Sequence, residues 1–258
     1  ELLITSMHGE VQMKFSVVIP IKNEVDLIPK TLPSYIALRP EELIIGVDKP
    51  TPKGLIEVIE RVSCQCKAEG ITRIVQVPRG GWGDHQTKVR RTCFLEAKND
   101  KILTGDIDLV VNKNCHKALH LVGKDDIGMV SCSKFRIPHD LLSVYRLFGS
   151  SFLMLYVHPI SKFGGKSIAA TSFTGLYALW RPFWLDAEPI KVAREFKKLK
   201  TKLRNKEKVN LEDFYGSGDD THLRDCMEQK YKVVALPDIG AFVLTDTWED
   251  RPMIQYSK

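Results

Sequence analysis

Four short β-branched runs limit what this chain can fold into. Residues 15–19 read FSVVI, 43–47 LIIGV, 71–77 ITRIVQV and 101–111 KILTGDIDLVV. The first two are continuously apolar, which fits strands buried on both faces of a sheet that helices must then cover. The intervals supply helix-length segments at about 25–35 and 54–68. In the second, Leu55, Ile56, Ile59 and Val62 lie near helical spacing. A third helix, with Lys88, Arg90 and Arg91, follows the glycine-rich turn RGGWGD at 79–84. Strand alternating with helix predicts an α/β fold, a doubly wound and mostly parallel sheet with helices on both faces. Pro20, without an N–H, is expected to end the first strand.

The fourth run contains its own problem. Asp106 and Asp108 flank Ile107 inside an otherwise apolar stretch. A buried strand cannot hold charge along its length. It can hold charge where it emerges at the carboxyl edge, and there open α/β sheets bind ligands. Two close carboxylates need a cation between them or one raised pKa. Oxygen-only ligands suit Mg²⁺ or Mn²⁺, ions that also hold a diphosphate. A polar turn after a strand would use the same residues, so other parts of the chain must decide.

The second half differs. Residues 127–131 (IGMVS), 173–180 (FTGLYALW) and 231–236 (YKVVAL) read as strands, with 237–258 as a tail. Residues 141–157 are apolar with aromatics, and 191–208 form a basic helix. Much of the net charge of +6 comes from that helix, so the charge marks a patch and gives no reason to expect nucleic acid. Six scattered cysteines without a CxxC spacing predict reduced thiols and an intracellular protein. No run reaches the ~18 apolar residues of a membrane span, and no signal peptide is evident. The expectation is a cytoplasmic protein that touches the inner membrane surface, if at all, through 141–157 and 191–208. Residues 1–12 show no pattern and are read as an N-terminal extension to one domain at 13–258.

Four pieces, in order, resemble the GT-A glycosyltransferases, and within them the inverting family 2 type. FSVVIPIKNE at 15–24 is similar to the family's opening strand and Asn-Glu turn, ELIIGVDKPTP at 42–52 to its second strand, LTGDIDL at 103–109 to its Asp-x-Asp. GSGDDTHLRDCMEQKYKVVAL at 216–236 is similar to its acidic-pair helix and the strand after it. The resemblance implies a UDP- or GDP-sugar donor, with Mn²⁺ or Mg²⁺ held by Asp108 and Asp106. In many relatives the first Asp contacts the ribose instead. It further implies a nucleotide site of Pro20, Ile21, Asn23, Glu24, Asp48, Gly81, Lys88 and Asp106. Asp48 would read the base, and Gly81 and Lys88 would add anion contacts. Asp220 would be the general base, with Asp219 in support. The halves 13–111 and 112–258 would bind nucleotide and acceptor.

The departures are specific. Asp-Lys-Pro at 48–50 stands where many members have Asp-Asp-Gly/Ser, and Asp219-Asp220 where Glu-Asp is usual. The Gln-x-x-Arg-Trp sequence of processive synthases is absent. The acceptor is not implied, and a lipid-linked one is left open by residues 141–157. Two alternatives stay open. A sugar nucleotidyltransferase would carry glycines after strand one, where this chain reads PIKNE. An inactive GT-A-like binding module would retain the fold without turnover.

Overall fold

The computed structural model describes residues 13–78, 85–136, 175–187, 205, 223–224 and 227–244. The strands are β1 (Ser16–Ile21), β2 (Glu42–Lys49), β3 (Thr72–Pro78), β4 (Lys101–Gly105), β5 (Leu109–Val111), β6 (Ile127–Arg136), β7 (Leu176–Trp180) and β8 (Lys232–Val243). The helices are α1 (Ile28–Ile36), α2 (Leu55–Gln65), α3 (His85–Glu96) and α4 (Cys115–Leu121), with a further helical segment at 181–187. Among the described residues the strands make one sheet in the order β3-β2-β1-β4-β7-β6-β8-β5. β1 to β4 run parallel, β7 runs against β4 and β6, and β6 and β8 are again parallel. The carboxyl ends of β1, β2, β4 and β6 therefore share one edge.

Helices cover both faces, as expected. On one, Ile28, Leu32 and Tyr35 of α1, Leu55 and Ile59 of α2 and Leu119 of α4 pack on Val17, Ile19, Leu43 and Ile45. On the other, Val89, Cys93 and Phe94 of α3 join Trp184, Leu223 and Met227 over Val18, Ile44 and Ile102. Alternate residues of β1 and β2 thus enter opposite cores, which requires strands apolar throughout. At Gly46 of β2 a Cβ would overlap Cγ1 of Val89 and stand 2.7 Å from Sγ of Cys93, so the glycine lets α3 approach the sheet.

Three expectations are corrected. Pro20 does not end β1, which continues to Ile21. β1 pairs with β4 only as far as Val18, so Pro20 stands where the ladder is one-sided and a missing N–H is tolerated. The run at 101–111 is two strands, not one: β4 stops at Gly105 and β5 crosses to pair with β8. The chain past Leu236 is not all tail. β8 continues to Val243, and a register shift leaves Pro237 and Asp238 outside the ladder with β6, which removes the conflict with proline.

The cysteines Cys64, Cys66, Cys93, Cys115 and Cys132 are free. No described helix is long and apolar enough to cross a membrane. Residues 141–157 and 191–208 lie outside the described residues.

His116 of α4 is half-buried, edge-on to Phe15 at 5.7 Å. Burial lowers its pKa from the ordinary 6.5, and neighbouring His120 lowers it further. The folded chain then binds fewer protons here than the unfolded chain, so this contribution to stability is full above about pH 6.5 and is lost as pH falls through the folded pKa. The unfolding midpoint is expected to drop between pH 7 and 5.5, and His116→Gln to flatten that slope. Parallel slopes for the two proteins would refute it.

Candidate active site

The carboxyl edge gathers charge from three strands. Asp48 is the penultimate residue of β2 and only 2% exposed. Asp106 follows β4 directly, and Asp108 directly precedes β5. Ile107 between them is buried in the core and anchors the turn.

Distant elements fix this turn. The N–H of Asp106 donates to the carbonyl of Gly175 at 3.0 Å, and the N–H of Leu244 to the carbonyl of Asp108 at 2.9 Å. The Tyr35 hydroxyl of α1 donates to the carbonyl of Asp106 at 2.8 Å. Burial, then the charge of Asp106, pushes the Tyr35 pKa well up, so the group remains a neutral donor. Gly105 makes the contact possible, because a Cβ there would overlap the Tyr35 hydroxyl.

Arg90 balances part of the charge. It lies on α3 with its side chain 3% exposed, and Nη2 donates to Oδ1 of Asp106 at 2.8 Å. Asp106 is 28% exposed, which places the pair between a surface and a buried one. Arg90→Met would leave a partly buried carboxylate beside Asp108 without its guanidinium. We expect a loss of about 2 kcal/mol, discounted for the exposure of Asp106. Urea unfolding of the two proteins checks it, and equal midpoints would contradict it.

Other expected residues fall in different places. One oxygen of Glu24 accepts from the N–H groups of Lys22 and Asn23, at 2.9 and 3.0 Å, and ties the turn after β1. Pro20 and Ile21 close that strand at the same edge. Lys88 donates to the carbonyl of Pro78 at 3.0 Å, while Arg90 of the same helix pairs with Asp106. Gly81, with residues 79–84, and Asp219 and Asp220 lie outside the described residues.

The turn suits a hard divalent cation in its chemistry: two adjacent carboxylates, one with Oδ1 taken by Arg90. Among the described residues no third His, Cys, Asp or Glu joins them. A bound ion would fill its remaining positions from oxygens of its ligand or from water.

Solved structures share the fold. One match is the mannosyltransferase PcManGT from Pyrobaculum calidifontis, in complex with GDP-Man and Mn²⁺, with TM-score 0.55, 16% identity and 88% of this chain covered. Another is S. aureus TarS 1-349 in complex with UDP-GlcNAc, with TM-score 0.59, 14% identity and 90% covered. The fold is GT-A. This chain spans 56% and 58% of the length of those two chains. No family model and no curated protein sequence matches. The GT-A sheet thus stands on structure, at identities that give the fold without the substrate.

Proposed function

We propose that this GT-A chain is a metal-dependent inverting glycosyltransferase of the family 2 type, moving a sugar from a nucleoside diphosphate to an acceptor hydroxyl. The Asp-x-Asp turn, clamped at the carboxyl edge of the sheet, carries the reading. Asp48 and Asp106 emerge two strands apart in the sheet order, about 10 Å at ordinary strand spacing. A nucleoside diphosphate can bridge that gap with its base toward Asp48. Sugar-nucleotide complexes among the structural neighbours support a nucleotide donor.

The residues divide the work. Glu24 holds the turn after β1 against the nucleoside, with Pro20, Ile21 and Asn23 beside it. Asp106 and Asp108 would hold Mn²⁺ or Mg²⁺, which when bound offsets the charge that grows on the departing diphosphate. Arg90 and Tyr35 fix Asp106 by its carboxylate and its carbonyl. Asp220 takes the proton of the acceptor hydroxyl opposite the leaving group, with Asp219 in support. Gly81 and Lys88 belong to the donor side, and residues 112–258 supply the acceptor side.

The test is nucleoside diphosphate release from UDP- and GDP-sugars, with Mn²⁺ or with a chelator. One donor base is expected to give metal-dependent release, and Asp220→Asn to slow transfer while donor binding persists. Full turnover in chelator would overturn the metal-dependent reading.

A further inference from the structure

A second cation stands near Asp106, beside Gly175. Lys134 lies near the carboxyl end of β6, half-buried. Its Nζ is 2.8 Å from where a Cβ on Gly175 would sit, and Oδ2 of Asp106 is 2.5 Å from the same point. Any side chain at 175 would displace both groups, and the positive φ of 78° there already favours glycine. Asp106 already has a guanidinium on Oδ1. Among the described residues no carboxylate forms an ion pair with Lys134. The acidic turn thus has two cations close by, Arg90 in an ion pair with Asp106 and Lys134 beside Gly175.

Its position says which substrate group it meets. Asp48 on β2 lies two strands to one side of β4, and Lys134 on β6 two strands to the other. If the base lies toward Asp48 and the diphosphate at the Asp-x-Asp turn, Lys134 is past the diphosphate, where the transferred sugar meets its acceptor.

We propose that Lys134 binds an anionic group, phosphate or carboxylate, on the sugar side of the diphosphate. That group belongs either to an acidic donor sugar or to a phosphorylated or carboxylated acceptor. The direction assigned to the anion rests on the nucleotide placement proposed above. The charge at Lys134 does not.

Calorimetric titrations at constant ionic strength test it with two probes, inorganic phosphate and glucuronate. Each is added to wild type, Lys134→Met and Lys134→Arg, with and without a saturating nucleoside diphosphate and Mn²⁺. Wild type is expected to bind at least one probe, Lys134→Met to bind it about tenfold or more weakly, and Lys134→Arg to recover most of the loss. Affinity for the nucleoside diphosphate should change less than about twofold in Lys134→Met, within the spread of an untouched site. Binding of phosphate alone by the loaded protein points to an acceptor-side phosphate, and of glucuronate alone to a carboxylated sugar. Equal probe affinity in wild type and Lys134→Met, or no binding of either probe, overturns the proposal. A nucleotide affinity that falls with Lys134 also overturns it, by placing the lysine on the diphosphate. If no nucleotide binds wild type, the glycosyltransferase reading fails by itself, and the nucleotide-free titrations still decide whether Lys134 binds an anion.

Discussion

Asp108→Asn is expected to cut nucleoside diphosphate release from the donor by at least about a hundredfold, the scale for losing a group that stabilises charge in the transition state. The fold should persist. Asparagine matches aspartate in shape, and the Asp108 contact to Leu244 runs through the main-chain carbonyl, which the substitution keeps. Loss of one of two neighbouring like charges relieves the repulsion between them in the apo chain. Asp106→Asn should behave differently. It removes the carboxylate that meets Arg90, a guanidinium almost fully buried, so it should lower both activity and stability. Donor turnover and urea midpoints on both variants separate the cases. An Asp108→Asn enzyme with near wild-type turnover, or one that unfolds as readily as Asp106→Asn, would contradict this assignment.

Gly105→Ala should be the most damaging small substitution in the turn. The new methyl would overlap the Tyr35 hydroxyl, with Cζ of Tyr35 at 3.1 Å and Cδ1 of Leu176 at 3.2 Å. Tyr35 is fully buried and cannot swing to solvent. Overpacking a tight core costs about 1–3 kcal/mol, and displacing the hydroxyl also loses the hydrogen bond that positions Asp106, about 1 kcal/mol more. Tyr35→Phe alone should cost about 1–2 kcal/mol by leaving that carbonyl short of a donor. Combined, the two should cost less than their sum, since phenylalanine removes the atom that collides. Chemical denaturation of the two single variants and the double variant measures the coupling. Strict additivity would mean that Gly105 and Tyr35 do not meet as described.

The residues show what a sequence can announce. An Asp-x-Asp inside an apolar run is visible because burial forbids charge within a strand, so its place at the sheet edge could be read directly. The strand pattern that gave the α/β sheet is visible for the same reason: both faces of β1 and β2 enter apolar cores. What fixes the turn was not visible. Tyr35, Gly175 and Leu244 meet Asp106 and Asp108 from far along the chain, and nothing local in the sequence marks such contacts. Arg90 and Lys88 sit two residues apart in one basic helix, and only the packing of α3 decides which reaches Asp106. Pro20 misled because proline's cost depends on whether a neighbour strand needs its N–H, and the neighbour on the β4 side had already ended. The extension of β8 past Pro237 was hidden in the same way, by a register shift that sequence alone does not show.

The most direct measurement is the thermal unfolding midpoint of the whole chain with UDP, GDP, CDP or TDP, each with and without Mn²⁺, in wild type and Asp108→Asn. A ligand that binds only the folded state raises the midpoint by mass action. One nucleotide is expected to raise the wild-type midpoint, with a rise that needs Mn²⁺ and that Asp108→Asn abolishes. A rise that survives in Asp108→Asn, or no rise with any of the four, would contradict a metal-held nucleoside diphosphate at this turn.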